Sequence, residues 1–143
     1  MKSIIPVAVA AICIMPLAAR SQRVRTTDVP QEVRAALQKK YPSATSVSWE
    51  REKGNYEANW GGASREDNSV LFTPQGSFVE IVVAIPVSKL PAALAGYVRT
   101  HYGSAKIGEA GKVTTAAGDT RYEVEVRGRD LLFDEKGNFI RKD

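Results

Sequence analysis

One cysteine, Cys13, and one histidine, His101, restrict the chemistry open to this 143-residue chain. A four-ligand Cys/His zinc site, a three-histidine catalytic zinc, a CxxC redox pair and an intrachain disulfide all need more of these residues. His101 stands beside Tyr102 at the end of a helical pattern with no serine or cysteine partner in evidence, and reads as a helix-end cation. The carboxylates Glu57 and Glu123 have the residue types that glycoside hydrolysis uses, which needs two carboxyls across a cleft. They hold equivalent places in an internal repeat, and the repeat alone accounts for the pair. The run Asp134-Glu135-Lys136-Gly137-Asn138 resembles a calcium loop but lacks alternating oxygen ligands and a closing glutamate, so it reads as a hairpin turn.

Binding chemistry fits the remaining residues better. Trp49, Tyr56 and Trp60 are either core or anchors for a partner, and Trp60, beside Gly61-Gly62, is the one expected to stand out as an anchor. Glu57, Glu123, Glu125, Arg121 and Arg127 occupy the polar positions of alternating segments. Acids and arginines in neighbouring registers suit a docking face, or a solvated face held by cross-strand pairs. The candidate partner-binding set is therefore Glu57, Trp60, Arg121, Glu123, Glu125 and Arg127.

The elements that would position these residues come in two rounds. Val29, Val33, Leu37 and Tyr41 follow one another at four-residue spacing, and 61 residues on stand Leu90, Leu94, Val98 and Tyr102. At the same offset Thr27 matches Ser88, Pro30 matches Pro91, and Phe72, Gly76 and Phe78 match Phe133, Gly137 and Phe139. The pattern implies a tandem duplication. Each copy predicts an N-cap at Thr27 or Ser88, a proline in the first turn, and an amphipathic helix ended by Tyr41-Pro42 or Tyr102-Gly103. Period-two segments follow: Val47, Trp49 and Arg51, then Tyr56, Ala58 and Trp60, and in the second copy Tyr122, Val124 and Val126. Turns are expected at Lys53-Gly54-Asn55, Pro74-Gln75-Gly76, Gly118-Asp119 and Glu135-Lys136-Gly137. The second copy lengthens its first hairpin and shortens the next connection, leaving Gly61 to Asn68 as the first copy's surplus loop.

The fold class is then α+β: a helix plus four-stranded antiparallel sheet, repeated, forming one continuous sheet of about eight strands with two helices on one face. The nearly apolar stretch Phe78 to Ile85 is expected at the seam between copies, buried from both sides.

Lys2, the apolar run Ile4 to Leu17 and the small residues Ala18 and Ala19 have the order of a secretory signal peptide. Such a run would span about 21 Å as a helix, short of a hydrocarbon core of about 30 Å, and Pro6 and Pro16 interrupt it. Cleavage after Ala19 would leave 124 residues with a net charge of +3 and no thiol. The boundaries expected are residues 1–19 signal peptide, 20–27 flexible leader carrying Arg20, Arg23 and Arg25, 28–86 first repeat and 87–143 second repeat.

Val29-Pro30 through Tyr41-Pro42, Trp49, Tyr56-Glu57-Ala58, Val70-Leu71-Phe72 and Gly76-Ser77-Phe78 make the chain similar to the PepSY-like, β-lactamase-inhibitor-like family of exported bacterial proteins. Leu90-Pro91, Tyr102, Tyr122-Glu123-Val124 and Phe133 through Gly137 repeat the signature. Trp60 departs from it, where a smaller aromatic or aliphatic residue is expected. The resemblance covers about Val29 to Ile140 and implies tandem helix-plus-sheet units and a periplasmic or cell-surface place. It brings no catalytic residues, and its motifs specify fold better than function.

The function expected is an exported, non-enzymatic, monomeric module that engages an envelope or secreted protein through its polar sheet face and loops, with inhibition as one outcome. A small envelope hydrolase and a structural or chaperone-like shielding domain are the alternatives. No cofactor or metal is expected, no membrane span after cleavage, and no nucleic-acid partner, because the basic residues form no stripe.

Overall fold

A computed structural model describes residues 21–143. The expected signal peptide over 1–19, with Cys13, lies outside the described residues. The helices are α1 (Gln31–Lys40) and α2 (Ala92–Tyr102). The strands are β1 (Gln22–Val24), β2 (Ser48–Glu52), β3 (Asn55–Trp60), β4 (Asn68–Phe72), β5 (Phe78–Ala84), β6 (Ile107–Thr115), β7 (Thr120–Val126), β8 (Arg129–Asp134) and β9 (Phe139–Lys142). They form a single antiparallel sheet in chain order, β1 through β9. The ninth strand comes from residues expected to be a flexible leader: Gln22 to Val24 pair with Arg51 to Trp49 of β2, and Val24 packs against the first core.

Each half runs helix, then four strands. Both helices start after a proline with extended ψ, Pro30 and Pro91, and neither start has a side-chain cap. Thr27 and Ser88 instead lie in 3-10 turns over Thr26–Asp28 and Val87–Lys89, just before those prolines. A proline carbonyl takes the first helical bond in each case, from Arg34 and from Ala95. The stripes behave as their spacing requires. Val33 and Leu37 meet Trp49, Tyr56, Ala58, Trp60, Val70 and Phe72, and Leu94 and Val98 meet Val124, Val126, Leu131 and Phe133.

Residues opposite one another in register share a face. Ala58 faces Val70, Val70 faces Ile81, Ile81 faces Thr114 and Thr114 faces Thr120, the side that Tyr122 and Val124 also take. Both helices therefore cover one face. They leave a gap over the seam: β5 is half-buried from Phe78 to Val82 and exposed at Val83 and Ala84, not buried from both sides as its apolar run suggests. Each helix is only about three turns long and spans its own half, so nothing covers Val83.

Two glycines clamp the helices to the sheet. Gly76 and Gly137, both with left-handed φ (+81 and +86), close the turns before β5 and β9. A Cβ on Gly76 would sit 2.7 Å from the Glu32 carbonyl oxygen, and one on Gly137 would sit 2.8 Å from the Leu94 nitrogen. Only glycine allows both the backbone angle and that approach.

Candidate functional site

The face without helices carries the alternate residues of every strand, and it forms a cleft of about 710 Å³ lined from β2 to β9. One register row reads Glu50, Glu57, Leu71, Glu80 across β2 to β5. Another reads Gly111, Glu123, Leu132, Arg141 across β6 to β9. Between them lie Asn59, Ser69, Val82, Val113 and Arg121. The sheet curls around this cleft far enough for the two ends of the chain of strands to approach. The Lys53 Nζ, in the β2–β3 turn, is 3.8 Å from the Asp143 Oδ2 that follows β9.

Ten of the chain's 16 carboxylates line the cleft, against two cations, Lys53 and Arg141, among the described residues. The wider face still mixes acids and arginines, with Arg23 opposite Glu50 and Arg121 opposite Val113, but the cleft within it is dominated by acids. Arg141 is committed to Asp143, with Nη2 2.9 Å from Oδ2. Lys53 sits 3.8 Å from Glu52 as well as from Asp143. Among the described residues no cation pairs with Glu50, Glu57, Glu80, Glu123, Glu125 or Asp130.

Crowding and burial change their acidity. Glu57 is raised above the ordinary carboxyl value by burial, with Glu52 and Glu50 adding repulsion, while hydrogen bonds from Ser69 and Asn59 oppose the rise. The Ser69 hydroxyl donates to its Oε1. Glu123 has no such donor. Burial first, then repulsion from Asp130, Glu80, Glu52 and Asp143, pushes it to about 7. Asp130 is raised by burial and by Glu125 and Asp143. Between these acids Leu71 and Val82 give the cleft an apolar floor, with Val113 and Leu132 buried on the same sheet face beside it.

Three of the expected residues, Glu57, Glu123 and Glu125, line this cleft. Arg121 shares the face, opposite Val113 and Asp134, but lies outside the cleft lining. Trp60 is no exposed anchor: it is 8% exposed and packs on Tyr41 at a ring separation of 5.4 Å. The alternation of Tyr56, Ala58 and Trp60 puts it under α1, and that register outweighs its nearness to the glycine loop. Arg127 leaves the strand altogether. With Gly128 it forms a two-residue turn at positive φ, and its Nη2 donates to the Tyr102 carbonyl at 3.1 Å. The acids that join the cleft without having been singled out are Glu50, Glu52, Glu66, Glu80, Glu109, Asp130 and Asp143. Glu50, Glu52 and Glu80 fall on the polar alternates of their strands, a signal present in the sequence; Asp143 comes in only through the curl.

His101 is on the other side, on α2, stacked on Tyr97 at 3.9 Å with Nδ1 donating to the Tyr97 carbonyl. The Asp134 loop is a turn. The Asn138 side-chain amide donates to the Asp134 Oδ2 and the backbone N–H groups of Asn138 and Lys136 to its Oδ1, which together hold the carboxyl below its usual range. Among the described residues no group of three His, Cys, Asp or Glu side chains is placed to hold a metal ion, and no helix is long and apolar enough to cross a membrane.

The family profile described as "Putative beta-lactamase-inhibitor-like, PepSY-like" matches residues 15–79 and again residues 60–141. The chain belongs to that family. No curated protein matches it. Among solved structures it resembles a protein from Bacteroides eggerthii named "putative periplasmic", with a TM-score of 0.67 at 23% identity, covering 80% of this chain and 88% of that one. A DUF2874 family protein from Bacteroides uniformis gives 0.65 at 24% identity, covering 80% and 88%. A BLIP-like protein from Bacteroides fragilis gives 0.57 at 23% identity, covering 80% and 85%. These likenesses establish the shared fold.

Proposed function

We propose that this PepSY-like chain is a non-enzymatic binding module of the cell envelope, exported by a signal peptide over residues 1–19, that engages another envelope or secreted protein through its helix-free sheet face. The observation that carries the reading is the cleft itself. A face of a nine-stranded sheet is left bare of helices, while half-buried carboxylates stand over apolar side chains. Solvated sheet faces seldom bury carboxylates this far, because desolvation costs free energy that pairing must offset. The rim loops, including Gly61 to Asn68, would add specificity. The name of the B. eggerthii neighbour supports the envelope location, and the family description together with the BLIP-like neighbour supports inhibition of the bound protein. The doubled family match supports reading residues 28–86 and 87–143 as two repeats behind a leader over 20–27.

Hydrolysis is disfavoured by placement. His101 faces away from the carboxylates, across the sheet. The test is capture: immobilised wild-type protein and a Glu57→Lys/Glu123→Lys variant are exposed to extract of the host's envelope and secreted proteins. A protein retained by the wild type and released by the variant, whose own activity changes when the wild type is added back, is the expected result. Equal retention by both sinks the assignment of the face.

A further inference from the structure

We infer that the occupant of the cleft is a cationic segment of a polypeptide, whose lysine or arginine head groups reach Glu57 and Glu123 while their methylene stems lie along Leu71 and Val82. The inference rests on the binding-module reading and names the chemistry of its partner. Three observations converge on it. Charge is one: ten carboxylates face two cations, and those two are already engaged with Asp143 and Glu52. Shape is another: a cleft of about 710 Å³ running across eight strands suits a chain segment rather than an ion, and among the described residues no three acids converge as metal ligands do. The floor is the third. Long cationic side chains bury apolar stems and present a charged head, which matches acids standing beside Leu71 and Val82.

The acids that face Glu123 make this docking proton-linked. Glu52 reaches it from β2 and Glu80 from β5; Asp130 lies on β8, and Arg141 and Asp143 on and beyond β9. On its own strand Glu125 is two residues on, and Glu109 of β6 lines the same wall. With its carboxyl raised to about 7 by burial and this repulsion, Glu123 holds a proton part of the time near neutrality. An arriving cation favours the charged carboxylate, so docking expels that proton and tightens as pH rises.

The probe is a labelled peptide alternating lysine and arginine with leucine and alanine, titrated by calorimetry against the whole protein. An isosteric peptide with glutamate in place of the cations is the control. Binding is expected to tighten about tenfold between about pH 6 and about pH 8, and to weaken severalfold with added salt. Glu123→Gln removes the pH dependence and Glu57→Gln weakens binding with the dependence kept; far-ultraviolet circular dichroism verifies that both variants are folded. The inference is overturned if the acidic control binds as well, if the double Gln variant binds like the wild type, or if calcium or spermidine displaces the peptide at equal concentration. Capture of an envelope protein that is indifferent to both Gln substitutions and to salt would refute the cationic occupant while leaving the binding module standing. Loss of both capture and peptide binding would refute the two together.

Discussion

Glu57 and Glu123 occupy matching places in the two halves, each opposite a leucine of the next strand, Leu71 or Leu132. Their neighbours differ. In the first half Ser69 offers Glu57 a hydroxyl donor; 61 residues on, the matching position is Asp130, which repels Glu123. Burial raises both carboxyls; hydrogen bonds from Ser69 and Asn59 oppose the rise at Glu57, whereas at Glu123 Asp130 leads the acids that add to it, to about 7. The cores diverge in the same spirit. The first gathers Trp49, Tyr56, Trp60 and Phe72 under α1, whereas the second is mainly aliphatic. Its aromatics run out to the surface instead, Phe133 against Tyr97, and Tyr97 stacked at 4.8 Å on Phe139. The halves share the helix stripe and the Phe72 and Phe133 positions beneath it, and they vary in the other core side chains and in those that face the cleft.

The comparison breaks most easily at the core. Phe72→Ala and Phe133→Ala each remove a fully buried ring and should each cost about 4 kcal/mol in urea unfolding. A difference of more than about 2 kcal/mol between them would show that one half dominates stability. Next come the clamps: Gly76→Ala and Gly137→Ala should each cost about 2–3 kcal/mol, from positive φ and the backbone contact together. Tolerance at one site alone would show that its helix can back away from the sheet.

Charge gives a smaller, signed effect. The folded protein holds the Glu123 proton up to about 7, whereas the unfolded chain loses it near the ordinary glutamate value of 4.5. Between those values the native state binds more protons, so stability falls as pH rises through that window and the whole cost is present above it. Glu123→Gln should therefore stabilise by about 1–2 kcal/mol at about pH 8 and by little at about pH 4, with Glu57→Gln gaining less. Equal gains would erase the distinction between the halves. Asp130→Ser, which imports the first half's residue, should move the Glu123 titration downward when followed by carboxyl-carbon NMR; an unmoved titration would leave burial as the whole cause. Smallest of all, Phe139→Ala should cost about 1 kcal/mol or less in thermal unfolding, because its ring is 38% exposed.

Much of this arrangement was legible in the residues. The stripes from Val29 to Tyr41 and from Leu90 to Tyr102 announce the helices, and the Lys53-Gly54 step is the two-residue turn that its glycine suggests, with both residues at positive φ. Other features were hidden for physical reasons. Gln22 to Val24 are too short and polar for a strand signal and pair only because β2 offers a free edge. Arg127 continues an alternating pattern but turns at φ +54, where its own spacing predicts another strand residue. The acidity of the cleft escaped because period two assigns a side chain to a face without saying which faces curl together. Asp143 and Lys53 are far apart in sequence and meet only through the accumulated twist of the whole sheet.

That curl has an electrical consequence. The chain as a whole is net positive, at +4, yet one side of it concentrates most of its negative charge. The molecule is thus an electric dipole with its negative pole at the mouth of the cleft. An approaching basic protein would feel a torque before it felt a contact, out to about the 8–10 Å over which ordinary salt leaves fields unscreened. Polyanions would meet the opposite pole, so the same field that would draw a cationic segment to the cleft would turn anionic polymers to the back.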